Sequence, residues 1–309
     1  MPELPDIELY LHALRSRLSG QRLQRIRLAS PFLVRSVDPP IQNAEGKLVI
    51  GLRRLGKRVV FELEDELFLV IHLMIAGRFR WVADSGRPET ERPKVPAKVG
   101  LAAFDFANGT LLLTEAGSQR RAAMYLVRGE HGLSGLDPGG LEVLGSTPAE
   151  FTSVLTRENH TLKRSLTDPH FFSGIGNAYS DEILHAAKLS PMQLTSRLTP
   201  EQAAHLHACV IAVLTNWRDA LIADTGGAFP EKVTAFRDGM AAHGKFGKPC
   251  PVCGTAIQRI KYAANEANYC PTCQTDGKLL ADRGLSRLLK GDWPKSLEEL
   301  EQYKASRRT

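Results

Sequence analysis

Long apolar runs are missing from this chain: no stretch of about 18 apolar residues occurs in its 309 residues, so no membrane-spanning helix is expected. The opening Met1-Pro2-Glu3-Leu4-Pro5-Asp6 lacks the positive charge and apolar centre of a secretory leader, and a cytoplasmic protein is expected. Cysteine is scarce. There are five, four of them in two Cys-x-x-Cys pairs, which excludes a disulfide scaffold and points to metal ligation in a reducing compartment. Acidic residues are outnumbered, 34 against 40 Lys plus Arg, leaving a formal charge of +6. That balance favours an anionic partner without specifying one. With 43% hydrophobic and 24% charged residues, the composition is neither fibrous nor disordered, and the length allows two or three domains.

Cys250-Pro251-Val252-Cys253 and Cys270-Pro271-Thr272-Cys273 enclose 16 residues, a spacing suited to tetrahedral thiolate ligation of one zinc ion. Four protein ligands leave no open position, so the metal is expected to hold a fold and activate no water. Between the pairs, Gln258-Arg259-Ile260-Lys261-Tyr262 and Ala267-Asn268-Tyr269 read as hairpin arms. Residues 243 to 290 carry eight Lys or Arg (245, 248, 259, 261, 278, 283, 287, 290) against three acids (266, 276, 282), a surface suited to phosphates.

At the other end, Ile7, Tyr10, Leu11, Leu14 and Leu18 share one helical face, and Gly20 ends the run. Short β-branched and aromatic runs follow from Leu23 to Val127, among them Val59 to Leu63, Leu67 to Ile71, Ala103 to Phe106 and Leu111 to Leu113. Asn108-Gly109 marks a hairpin. An antiparallel β-sandwich or flattened barrel is expected over residues 1 to 128. The glycine-rich, aperiodic stretch 129 to 147 reads as a linker. Helices follow, opened by Thr147-Pro148-Ala149-Glu150 and Thr199-Pro200-Glu201-Gln202, each with an N-cap, Pro at the first position and an acid or amide at the third. Cys209, on the face-forming helix after Pro200, is expected to be a buried small hydrophobe. The chain therefore reads as α+β and multidomain: the sandwich with its flanking helices, a helical domain over 148 to 245, a zinc hairpin with a following helix over 246 to 290, and an extension over 291 to 309.

The first six residues carry chemistry if Met1 is removed, as a small second residue usually allows. Pro2 then presents a secondary α-amine with Glu3 beside it. An α-amine titrates near ~8, so part of it is unprotonated at neutral pH and able to attack an electrophilic carbon. Attack on a sugar C1′ would give an iminium, from which a base can be expelled and phosphate eliminated. Two further features are suggestive: the basic turn Leu52-Arg53-Arg54-Leu55-Gly56-Lys57-Arg58, and Gly174-Ile175-Gly176-Asn177 opening a helix, whose N–H groups suit a phosphate.

Met1-Pro2-Glu3-Leu4-Pro5 resembles the start of the formamidopyrimidine-DNA glycosylase and endonuclease VIII family, and three later stretches resemble it in the same order: Ile71-His72-Leu73-Met74-Ile75-Ala76-Gly77-Arg78, Gly174 to Leu184, and the cysteine pairs. The resemblance implies a bifunctional DNA glycosylase and abasic-site lyase acting on damaged, oxidised bases in double-stranded DNA, a monomer that associates with the nucleoid when on DNA. Pro2 would be the nucleophile and Glu3 the general acid, with Lys57 on phosphates beside the extruded nucleotide. Asp6 stands where the family has Glu, in a supporting role on the DNA-binding side. Gly174 to Leu184 implies a helix-two-turns-helix element, with Asn177 and Lys163 on phosphates. The family's His-Leu-Gly-Met-Ser-Gly loop fills the gap left by a flipped base. Here Ile75 takes the methionine position and Met74 the glycine position, so either is a candidate wedge.

Four departures go with these matches. Glu115-Ala116-Gly117-Ser118-Gln119-Arg120-Arg121 keeps the paired arginines of the family's Asp-Pro-Arg-Arg-Phe-Gly, but Ala122 replaces its phenylalanine; Arg120 or Arg121 is expected in the vacated space. Asn265 replaces the finger arginine, with Arg259 and Lys261 as candidate substitutes. The segment Asp224 to Gly247 is shorter than the loop that covers a flipped purine. A basic, amphipathic run, Leu279 to Lys290, continues past the usual end of the finger. Two alternatives stand beside the glycosylase: a non-catalytic zinc-containing binder of damaged DNA, and a family member specialised on crosslinked or single-stranded DNA.

Overall fold

The structure is a computed structural model describing residues 1 to 84, 86, 92 to 117, 119 to 262, 265 to 281 and 294 to 306. The chain divides into two compact units, Met1–Pro138 with Asn216–Ala235, and Gly139–Thr215 with Phe236–Thr309.

The first unit is a pair of four-stranded antiparallel sheets. One is ordered β2 (Val49–Leu55), β3 (Arg58–Leu63), β4 (Leu67–His72), β8 (Ala123–Arg128), and the other β1 (Arg25–Leu28), β6 (Gly100–Phe106), β7 (Gly109–Glu115), β5 (Gly77–Ala83). Their inner faces share one core, with Phe61 of β3 stacked on Phe104 of β6 at 6.4 Å. The turn at Asn108-Gly109 closes β6 on β7 in the register Phe106↔Gly109. A Cβ at Gly109 would stand 2.4 Å from the Trp81 ring, which is why glycine is required there. Helix α1 (Leu4–Leu18) buries Ile7, Tyr10, Leu11, Leu14 and Leu18 against the same core. Tyr10 meets Phe79 edge-on at 5.3 Å.

The linker expected from Gly129 begins instead with a short helix, α2 (Gly129–Ser134). The outer face of β3 and β4 presents Val60, Phe68 and Val70, and Leu133 of α2 packs against them. Covering that apolar face outweighs the glycine content of the stretch.

In the second unit, α3 (Pro148–Leu155), α4 (Leu162–Thr167), α5 (Asn177–Ala186) and the first turns of α6 (Pro200–Asp224) surround Phe151, Phe172, Leu166, Ile183 and Leu206. Phe151 and Phe172 lie 4.8 Å apart. Both expected caps form: Glu150 Oε2 accepts from the Thr147 N–H at 2.8 Å, and Thr199 Oγ1 accepts from the Gln202 N–H at 3.2 Å. Helix α6 is, by length and composition, the one described helix able to cross a membrane, yet Leu206, Val210, Leu214 and Leu221 are buried inside protein. On this helix Cys209 is only half-buried, 3.6 Å from His205, and not a core residue as expected.

Strands β9 (Gln258–Tyr262) and β10 (Asn265–Tyr269) form the expected hairpin, followed by α7 (Pro271–Thr275). The expected helix of Leu279 to Lys290 falls mostly outside the described residues, as does the Asn265 side chain; Ser296 caps a final helix, Leu297–Ser306, through the Glu299 N–H.

Candidate functional site

The chain start is held by α1 itself. Glu3 is the N-cap, Asp6 Oδ2 accepts from the Glu3 N–H at 2.9 Å, and the two acids form a capping box. Asp6 is buried by this role, so the structure gives it to the helix start and not to a DNA surface. Pro2 is buried beneath Met1, which is 37% exposed. The Met1 amine is the terminal group present; removing Met1 would move that function one residue towards Glu3. Burial lowers this amine's pKa, Glu3 and Asp6 oppose the shift, and Arg78 and Lys57 reinforce it. The chain start is thus acid-flanked, desolvated and under the influence of two cations.

Lys57 comes from the two-residue turn between β2 and β3, where Leu55 pairs with Arg58 and Gly56 takes φ +60°. Arg54 shapes that turn, its Nη1 donating to Gly56 O at 2.9 Å. Burial lowers the Lys57 amine, with Glu3 opposing. Opposite Arg58 in the next strand stands His72, which the sequence reading quoted without a role. Burial, then Arg58 and Lys57, hold His72 down to about 4, so it is neutral at pH 7. Its Nε2 and the Arg58 Nε are buried with no hydrogen-bond partner. Its position at the last paired register of β4, beside a basic turn, was the available signal. Arg78 was also passed over.

Beyond His72 the chain turns sharply. Met74 has φ +52°, a left-handed conformation that favours glycine, and it is half-buried. Ile75 forms the tip and is 59% exposed. Gly77 closes the loop: its N–H donates to Leu73 O at 2.9 Å, and a Cβ there would stand 2.2 Å from that oxygen. Arg78 Nη1 donates to Ile75 O at 3.1 Å and Gly77 O at 2.7 Å, bracing the tip. A second loop approaches, with a Cβ at Gly117 falling 3.5 Å from that of Ala76. There the buried Glu115 carboxylate accepts from the N–H groups of Arg121 and Ala122 at 3.1 and 3.0 Å. Arg120 and Arg121 are left exposed, Arg120 donating to Lys98 O at 2.7 Å.

In the second unit, Asn177 is the first residue of α5, half-buried behind the N-cap Gly176. Lys163 is neither on a phosphate-binding surface nor a solvated lysine. It is 5% exposed, with Nζ on Asn177 O at 2.7 Å and on Asp181 Oδ1 at 2.5 Å. The buried Asp181 also meets His243 Nδ1 at 2.8 Å and the Asn268 amide at 3.1 Å. Its neighbour Glu182 accepts from the N–H groups of Ala241, Ala242 and His243 at 2.8 to 2.9 Å. One turn of α5 thereby fixes α4, the 241 to 243 segment and β10.

The Sγ atoms of Cys250, Cys253, Cys270 and Cys273 lie within 4.8 Å of one another, a donor set that fits one zinc ion in a closed tetrahedral site. Backbone N–H groups of Val252 and Cys273 point at Cys250 Sγ and Cys270 Sγ, each at 3.4 Å, and His185 Nε2 lies 3.2 Å from Cys250 Sγ. These surroundings orient the ligands. Arg259 and Lys261 are exposed on one face of β9; Arg259 lies 3.7 Å from Glu266 and 4.4 Å over the Phe246 ring.

A two-sheet domain headed by Pro-Glu, a helical domain with a glycine-opened helix and a four-cysteine zinc hairpin make up the body plan of a DNA-repair glycosylase. Residues 1–121 match the formamidopyrimidine-DNA glycosylase N-terminal domain, 141–227 that family's H2TH domain, and 247–275 the zinc finger found in FPG and IleRS. The formamidopyrimidine-DNA glycosylase of Heliobacterium modesticaldum is 31% identical over 287 residues, covering 89% of this chain and all of the relative. An uncharacterized formamidopyrimidine-DNA glycosylase-like protein of Mycobacterium tuberculosis is 40% identical over 151 residues, 49% of this chain and 94% of the relative. Among solved structures, Lactococcus lactis FPG (MutM) with a FAPY-dG containing DNA superposes with a TM-score of 0.75 at 27% identity, over 88% of this chain and 100% of that one. MutM in complex with carbocyclic 8-oxo-G containing DNA gives 0.75 at 25% identity, over 89% and 100%. The chain belongs to the formamidopyrimidine-DNA glycosylase family.

Proposed function

We propose that the protein is a bifunctional glycosylase and abasic-site lyase that excises damaged bases from double-stranded DNA, acting as a monomer. The observation that carries this reading is the acid-flanked, desolvated chain start faced by Lys57 and Arg78. With Met1 removed, the Pro2 nitrogen attacks C1′ of an extruded nucleotide. The C1′–N bond to the protein forms as the bond to the base breaks, and the base leaves with that electron pair and a proton. Glu3 protonates the sugar ring oxygen, opening the ring to an iminium. Loss of a C2′ proton then expels the 3′ phosphate, and water releases the sugar and restores the amine. The terminal amine present, that of Met1, is lowered by burial, and an amine left in that setting is activated in the usual way.

Lys57 and His72 hold the phosphates beside the reacting sugar, where the buried, unpartnered His72 Nε2 is completed by an anion. Ile75 is the wedge, since its exposed tip is braced and Met74 is turned inward. Asn177 binds a phosphate at the start of α5, and Arg259 and Lys261 add to the basic surface of the finger. Arg120 and Arg121, exposed on the loop beside Ala76, contact the orphaned base in place of the absent phenylalanine.

The test is borohydride trapping on abasic-site duplex. A covalent adduct is expected from protein processed to Pro2 and none from protein retaining Met1. Tight abasic-site binding with no adduct from processed protein would instead establish the non-catalytic binder.

A further inference from the structure

Two phenylalanines in the second unit are held out towards solvent. Phe236 is 67% exposed and Phe246 50% exposed, so each ring presents apolar area to solvent. Each is backed on one side. Phe236 stacks on His243 with centroids 5.4 Å apart and planes 22° from parallel. Phe246 has the Arg259 guanidinium 4.4 Å from its centroid. The group behind Phe236 is itself anchored: His243 is buried, bonded to Asp181 through Nδ1 and held by Glu182 through its N–H. Gly244, at φ +71°, lets the chain pass under Phe236, whose Cδ1 would lie 2.8 Å from a Cβ there.

The chain that carries these rings is mostly positive. From residue 236 to 266 the cations are Arg237, Lys245, Lys248, Arg259 and Lys261, against Asp238 and Glu266. Flat rings on rigid backing, interleaved with cations, suit unpaired bases with their phosphates alongside; stacking accepts any base because each has a π-face. A protein partner would be expected to cover a wider apolar area than two separate rings. Paired bases, stacked on their neighbours, offer these rings no face.

We propose that Phe236 and Phe246 form a stacking platform for unpaired bases of single-stranded DNA, with Lys245, Lys248, Arg259 and Lys261 along its phosphates. This rests on the DNA-repair reading above and specifies its substrate: damage in a duplex that borders an unpaired stretch.

Fluorescence anisotropy with a labelled oligothymidylate of about 12 nucleotides, against an undamaged blunt duplex, tests it. The double variant Phe236→Ala/Phe246→Ala is expected to bind the oligothymidylate at least about tenfold more weakly, with a clearly smaller change for the duplex. Zinc content and the thermal midpoint check that the variant is folded. Phe246→Trp, in otherwise unchanged protein, should retain binding and show emission quenched by the oligothymidylate. Unchanged oligothymidylate affinity in the double variant, equal losses for both DNAs, or no quenching would each overturn the platform. Because these readouts involve no turnover, failure of borohydride trapping would remove the enzymatic reading while leaving this comparison intact, and the reverse also holds.

Discussion

Lys57 and Lys163 are both withdrawn from solvent, and their surroundings differ in a way that separates chemistry from scaffold. Lys57 lies beside Arg58 and the neutral His72, burial lowers its pKa against the opposing pull of Glu3, and two buried nitrogens there have no partner. Lys163 meets Asp181, Asn177 O and, through Asp181, His243 and Asn268. Two buried nitrogens without a partner are suited to an incoming anion; a cation already paired with a carboxylate positions the backbone.

Removing each lysine gives the largest contrast. Lys163→Met leaves Asp181 buried without its counter-ion and should cost about 3–5 kcal/mol in urea unfolding. Lys57→Met removes a desolvated charge and should change stability by less than ~1 kcal/mol, while abasic-site duplex affinity falls roughly tenfold for one lost charge-assisted contact. If Lys57→Met unfolds as readily as Lys163→Met, the distinction fails.

The His72 side of the same cluster is sharpened by pH. Its folded value, about 4, lies below the ordinary 6.5, so the unfolded chain takes up the proton first. The stability tied to neutral His72 is fully present above pH ~6.5 and is lost as pH falls towards ~4. His72→Gln should flatten that part of the stability profile, read as urea midpoints at pH 7 and pH 5. An equal drop in both proteins would assign the pH sensitivity elsewhere.

The cysteine spacing, the Asn108-Gly109 turn and both Thr caps were legible in sequence because each depends on residues within a few positions. Lys163 was not. Its partner Asp181 lies 18 residues on, and Asn268, which completes the group, is 87 residues from Asp181, so only the fold shows that this lysine is internal. Asp6 was misjudged because a capping acid and a surface acid read alike until the helix start is seen. The short helix from Gly129 exists for Val60, Phe68 and Val70, tertiary burial that no local pattern carries. The Leu133 contact, not the glycines, decides that stretch.

The smallest effect concerns the tip of the wedge loop, where two adjacent apolar residues divide strain from contact. Met74 holds φ +52°, which costs a non-glycine residue about 1–2 kcal/mol, and glycine gives back part of that relief through its freer unfolded chain. Met74→Gly should therefore raise stability by no more than about 1 kcal/mol and leave base excision from duplex nearly unchanged, because the Arg78 brace acts on the carbonyls of Ile75 and Gly77. Ile75→Ala should do the opposite: an exposed side chain contributes little to folding, yet its loss leaves the gap in the duplex unfilled and slows single-turnover excision by roughly tenfold, the order of a few kcal/mol at most for an unstacked step. Reversed rankings would make Met74 the inserted residue and its strained backbone the device that presents it.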